Sequence, residues 1–347
     1  MKRIFIVAIC ILSAAGTVFA QSDLQPVAIV RLTKSEPITV KQLRTEVENM
    51  EKAGGRALTQ AERKQVLDVM INERLAIQAA ERDKVTISDA EVNNQIQQIK
   101  TAMGQQAGRL PTDQEFEIAL RNETGMDLNA YKEQLKRQML VQKYLMEKKR
   151  SIFEAVTPPT DAEINNAYNL TRTQFVRPDT VRVSMILVPA GNNAADKAKA
   201  KELTDRLVKE IGGNASKFDE AVVKGQSPTA GYQGGDAGYV PRNLQAQQML
   251  GADFVNTAFS LKQGEVSKVL EGPRGYQIIK VTETYTQKNL ELSDIAQLGT
   301  RITVRDYLQN TLMQEKQQEA VERASQELIT ELRKGNTFQI YENNINW

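Results

Sequence analysis

Apolar residues recur at three- and four-residue steps through the first half of the chain. Val66, Leu67, Met70, Ile71, Leu75 and Ile77 form one such stripe, and Leu128, Tyr131, Leu135, Met139, Leu140 and Leu145 form another. Each predicts a helix packed along one face. Five hydroxyl residues precede an acid or amide by three positions: Thr39 and Gln42, Thr59 and Glu62, Ser88 and Glu91, Thr112 and Glu115, Thr160 and Glu163. This is the capping-box spacing, in which the hydroxyl accepts from a free backbone N–H and the longer side chain reaches back. Residues 25–32 read as a short strand, Gly54-Gly55 and 104–109 as loops, and Pro158-Pro159 as a boundary that no helix continues across. A further helix is expected over 161–174.

From Thr180 the period changes. Residues 181–188 are β-branched and apolar and predict a central strand. Residues 194–212 and 217–224 read as helices, and 227–239 as turn-rich. In 275–284, Tyr276, Ile278, Lys280 and Thr282 alternate with Gln277, Ile279, Val281 and Glu283, which predicts a second strong strand. One long helix is expected after Leu292, ending at Gly335, with a last short strand over 338–342. The fold class is α+β.

Composition narrows the function. The 347 residues suffice for two domains, and 41% hydrophobic with 25% charged residues is ordinary for a globular protein. With 45 basic and 43 acidic residues the net charge is +2, which gives no electrostatic case for nucleic-acid binding. There is no histidine, and the one cysteine is Cys10. The usual zinc and copper ligand sets and the Ser-His-Asp and Cys-His catalytic groups are therefore excluded, and no metal or cofactor is assigned. Met1-Lys2-Arg3 is a positive start, Ile4 to Gly16 an apolar run, and Val18-Phe19-Ala20 a cleavage-type site. This reads as a signal peptide, residues 1–20, cleaved near Ala20 to leave an exported protein with no stable membrane insertion.

The region 227–280 carries the most specific pattern. It holds Gly234-Gly235-Asp236-Ala237-Gly238, then Phe254-x4-Phe259-Ser260-Leu261-x2-Gly264-Glu265-Val266-Ser267, then Gly275-Tyr276-Gln277-Ile278-Ile279-Lys280. With the strand over 181–188 upstream, this order resembles the parvulin (PpiC, or rotamase) family of peptidyl-prolyl isomerases. The helical part, with Gln65-Val66-Leu67-x3-Ile71-Asn72-Glu73, Ile87-Ser88-Asp89-Ala90-Glu91-Val92 and Tyr131-x3-Leu135-x-Arg137-Gln138, resembles the N-terminal domain of SurA-type periplasmic chaperones. The implied organisation is a helical chaperone domain over 21–175, an inserted parvulin-like domain over 176–286 (a small antiparallel sheet flanked by helices), and a C-terminal helix over 287–347 packing on the helical domain.

Prolyl isomerisation breaks no bond; its barrier of ~18–20 kcal/mol is the lost amide resonance. A catalyst holds proline in an apolar slot and favours the twisted amide over both planar forms. By resemblance the slot is built from Phe254 and from Met249 or Leu250, with Ser227 or Pro228 at the polar position that follows the second helix. The family's two histidines fall at Met185 and Gln277, a thioether and an amide. No proton transfer is required, so two readings stand: a site that binds with weak or lost isomerase activity, or an active isomerase acting on X–Pro bonds of exported proteins. The resemblance implies an ATP-independent periplasmic folding factor for unfolded or extended polypeptides, outer-membrane proteins among them.

Overall fold

The computed structural model describes residues 23–191, 193–272 and 274–347. The expected signal peptide and Cys10 lie outside these residues. The chain divides into two compact units, one formed up to Thr157 and by Lys316–Trp347, the other by Pro158–Glu315.

The first unit opens with strands β1 (Pro26–Val30) and β2 (Glu36–Thr39), an antiparallel pair. Helices α1 (Val40–Gly54), α2 (Gln60–Arg82), α3 (Asp89–Ala107), α4 (Asp113–Thr124), α5 (Leu128–Lys148) and α6 (Arg150–Glu154) follow. The capping boxes of Thr39, Thr59, Ser88 and Thr112 are formed at the starts of α1 to α4. Asp127 caps α5 by accepting from Ala130 N. The apolar stripe of α2 is the spine of the core, where Leu67, Ile71 and Leu75 meet Val27, Ala28 and Val30 of β1 and Leu43 and Val47 of α1. Gln78 on the same helix is fully buried, and its Oε1 accepts from Leu32 N (3.1 Å) and Thr33 N (3.0 Å) while its Nε2 donates to Glu36 (3.1 Å). One side chain thereby fixes the turn between β1 and β2.

The second unit begins with α7 (Asp161–Thr171), which opens at the predicted Thr160 capping box. Strand β3 (Val176–Arg177) leads into β4 (Thr180–Pro189), and α8 (Ala194–Ile211) and α9 (Ala215–Lys224) follow. Next come β5 (Gln233–Pro241), α10 (Leu244–Leu250), α11 (Ala252–Ser260), β6 (Leu270–Gly272), β7 (Gly275–Tyr285) and β8 (Lys288–Asn289). Strands β5-β4-β7-β6 form a four-stranded antiparallel sheet in that order. The turn-rich stretch is thus largely a strand. It pairs only with β4, at the sheet edge, where glycines are tolerated. The expected loop before Gly251 holds α10, capped by Asn243.

Helix α12 (Val304–Leu332) starts twelve residues later than expected, because Gly299 takes φ +84° and Ile295 bridges Thr303 ahead of it. Its first turns pack with α7: Ile164, Leu290, Val304 and Leu308 form one buried cluster. This cluster explains why the compact units divide at 157/158 and 315/316 and not at 175/176 and 286/287. The far half of α12 contributes Leu328 and Leu332 to the first unit's core. Strand β9 (Phe338–Ile340) then completes the first sheet, in the order β2-β1-β9.

Candidate functional site

The two faces of the β5-β4-β7-β6 sheet bury different clusters, because side chains alternate along β4 and β7. On one face Ile186, Val188 and Ile278 pack with Leu207 and Ile211 of α8 and Phe218 and Val222 of α9. On the other, Val181, Val183, Ile279 and Val281 pack with Ala246 of α10 and Phe254, Val255 and Ala258 of α11. Met185, Leu250, Phe259, Leu261 and Leu270 lie half-buried around this second cluster.

Three of the expected slot residues, Met185, Leu250 and Phe254, therefore share one cluster. Gln277 stands on the same face of β7 as Ile279, with Leu187 of β4 and Leu270 of β6 as its cross-strand partners. Met249 points away and is 73% exposed. Ser227 lies in the exposed turn after α9, sharing a 2.9 Å hydrogen bond with Thr229 Oγ1, and is in neither cluster. Phe254 is only 3% exposed. It supports the fold as well as lining the face, so Phe254→Ala would test folding and binding together.

The Gly-Gly-Asp turn is tied to the sheet by charge. The register shifts between Val183 paired with Gly238 and Ser184 paired with Asp236, so Ala237 is the extra residue of a bulge, with Gly238 at φ +82°. Asp236 Oδ1 accepts from Gly238 N at 2.9 Å. Its Oδ2 accepts from Arg182 Nε (3.0 Å) and Nη2 (2.6 Å), and Arg182 Nη1 donates to Glu283 Oε1 at 2.7 Å. The guanidinium of Arg182 lies over the Tyr239 ring, 5.2 Å from its centroid. Arg182 holds the Asp236 carboxyl below its ordinary pKa. Glu283 accepts from the Tyr285 hydroxyl, which pushes that phenol up to about 12. Gly234 meets a different requirement, since a Cβ there would lie 2.2 Å from the Val222 carbonyl oxygen. Only glycine lets β5 rest on the end of α9.

The first unit carries a separate groove of about 840 Å³. Ile87, Leu135, Met139, Met146 and Phe153 supply its apolar lining, and the amides of Gln95, Gln138 and Gln142 lie among them. Met146 is 52% exposed. Along α5 and α6 the lining residues 135, 139, 142, 146, 150 and 153 follow steps of three or four, so one stripe runs past the break at Lys149. The sequence shows this stripe as far as Met139. That it stays open beyond there depends on where α3 packs.

Comparisons with known proteins agree with this division of labour. Residues 1–145 match the SurA-like N-terminal domain, and residues 159–297 match the PPIC-type PPIase domain. The foldase protein PrsA of Clostridium botulinum (strain Loch Maree / Type A3) is 27% identical over 301 residues, covering 84% of this chain and 77% of that protein. The chaperone SurA of Saccharophagus degradans is 28% identical over 279 residues, covering 77% of this chain and 60% of that protein. A solved SurA-like chaperone from Campylobacter jejuni, from work describing PEB4 and Cj1289, aligns over 91% of this chain and 100% of its own at 14% identity, with a TM-score of 0.41.

Proposed function

Because the chain joins a SurA-like N-terminal domain to a PPIC-type peptidyl-prolyl isomerase domain, we propose that it is an exported folding factor that holds unfolded polypeptides in the periplasm without ATP. The observation that carries this reading is the open apolar groove of the first unit. Methionines adapt their shape to varied side chains, and glutamine amides offer both donors and acceptors to a main chain of any sequence. Such a lining suits clients that are extended, apolar and diverse, and outer-membrane β-strands before insertion are of that kind. Among the described residues no helix is long and apolar enough to cross a membrane. The relatives named foldase and chaperone support the same reading.

The test is light scattering of a urea-unfolded β-barrel protein diluted into buffer with the mature chain. Suppression of aggregation near equimolar ratio, unaffected by ATP, is expected. Met146→Lys places a charge in the groove at an exposed position and should weaken suppression several-fold while leaving the unfolding midpoint unchanged. Equal scattering with and without the wild-type chain would sink the proposal.

In the same reading the second unit binds X–Pro segments with weak or lost turnover. The alternative, an active isomerase, is favoured by the shared cluster of Met185, Leu250 and Phe254, which keeps the apolar part of a proline slot together. NMR exchange on a proline peptide separates the two.

A further inference from the structure

Gln277 is 6% exposed, yet its side-chain amide makes no hydrogen bond with any described residue. The fully enclosed side-chain atoms that lack a partner are Arg63 Nε, Arg177 Nε, Thr337 Oγ1 and Trp347 Nε1. The Gln277 amide is not among them, so its polar atoms border open space. It lies where β6 has no side chain: a Cβ on Gly272 would stand 2.8 Å from Gln277 Nε2. On the same face Gln277 is flanked by Leu270, its cross-strand partner, and by Met185 one residue pair along β4. A buried amide without a partner costs free energy that an isosteric Met would not. A ligand that satisfies it accounts for its presence.

We infer that Gln277 is the main-chain hydrogen-bonding group of this face, donating from Nε2 to a carbonyl oxygen beside the X–Pro bond of an extended peptide. This rests on the reading that the Leu250–Phe254 cluster seats proline. The chemistry selects the donor. Proline has no N–H, so around an X–Pro bond a peptide presents carbonyl oxygens with few donors of its own. A group that only accepts would find nothing there. The amide of Gln277 supplies an N–H without titrating, so the interaction is constant in pH across the range in which imidazole changes charge. The position thus keeps a donor where the resembling family has a histidine.

The test uses the full mature chain and a capped peptide with one X–Pro bond, observed by NMR through its own signals. Peptide affinity and cis–trans exchange are measured for the wild type, Gln277→Met, Gln277→Glu and Gln277→His, with thermal unfolding as the folding control. Gln277→Met keeps length and removes the donor, and should weaken binding about five- to tenfold, the worth of one hydrogen bond to a neutral partner. Gln277→Glu should weaken it at least as much at pH 7, and Gln277→His should stay within about threefold because an N–H remains. Wild-type affinity should not change between about pH 5.5 and 8. Wild-type binding that is unaltered in Gln277→Met overturns the role of Gln277 and leaves the slot in place. A wild-type chain that binds the peptide no better than its Pro→Ala counterpart overturns the slot and this role together.

Discussion

Replacing Gln78 should loosen the first unit by an amount that its hydrogen bonds set. In Gln78→Leu the core position stays filled, but the acceptor for Leu32 N and Thr33 N and the donor to Glu36 are gone. Thr33 is exposed and can bond water instead, whereas Leu32 is half-buried. The main loss is one poorly solvated N–H at about 1–3 kcal/mol, with about 0.5–1 kcal/mol for each bond that water replaces. The sum is about 2–3 kcal/mol, and Gln78→Ala adds about 1 kcal/mol or more for the cavity. Trp347 is the only tryptophan of the chain and packs against the first unit's core, with Arg44 and Arg63 over its ring at 4.9 and 4.7 Å. Its fluorescence therefore reports this unit while the second stays silent. With a urea slope of about 2 kcal/mol/M, the Gln78→Leu midpoint should fall by about 1 M, and that of Gln78→Ala further. A Gln78→Leu midpoint within about 0.2 M of wild type would show that the turn does not depend on this side chain, and the reasoning would be refuted.

Acid should undo the helix starts together. Glu62 (through Arg56 first), Glu91 (through Ser88 N first) and Glu115 (through Arg109 first) are held at about 2 against an ordinary 4.5. Lowered values mean that their contribution is complete above about 4.5 and is lost as pH falls towards about 2. Helical circular dichroism in moderate urea should be flat down to that range and then drop, and a drop centred near pH 6 would contradict the capping account. Gly234→Ala forces β5 off the Val222 carbonyl and should cost about 2–3 kcal/mol, read as early loss of the β4 and β7 amide signals on heating; unchanged melting would mean that the strand can shift freely. Leu250→Ala should cost about 2 kcal/mol and weaken prolyl-peptide binding, whereas Met249→Ala, at an exposed position, should stay within about 0.5 kcal/mol. The opposite order in thermal unfolding would reverse their placement.

What could be read from the sequence is what neighbouring residues decide among themselves. All five capping boxes form where the hydroxyl-to-acid spacing put them, since both partners sit within one turn. The alternation of 275–284 gave β7, and the β-branched run gave β4, because each strand is central and apolar enough to announce itself. Strand β5 did not, for its Gly-rich sequence has no strand preference and becomes one only by pairing with β4. The choice between Met249 and Leu250 likewise rests on which way α10 turns against Phe254. Gln277 could be found in the sequence as a position, but its buried amide without a partner exists only because β6 brings Gly272 beside it. The groove needs residues from Ile87 to Phe153 on three helices, and Leu290 joins Ile164 across most of the second unit. These are contacts between segments far apart in the chain. Local pattern sets which face of each element is apolar, while packing alone settles which face is covered and which is left open for a client.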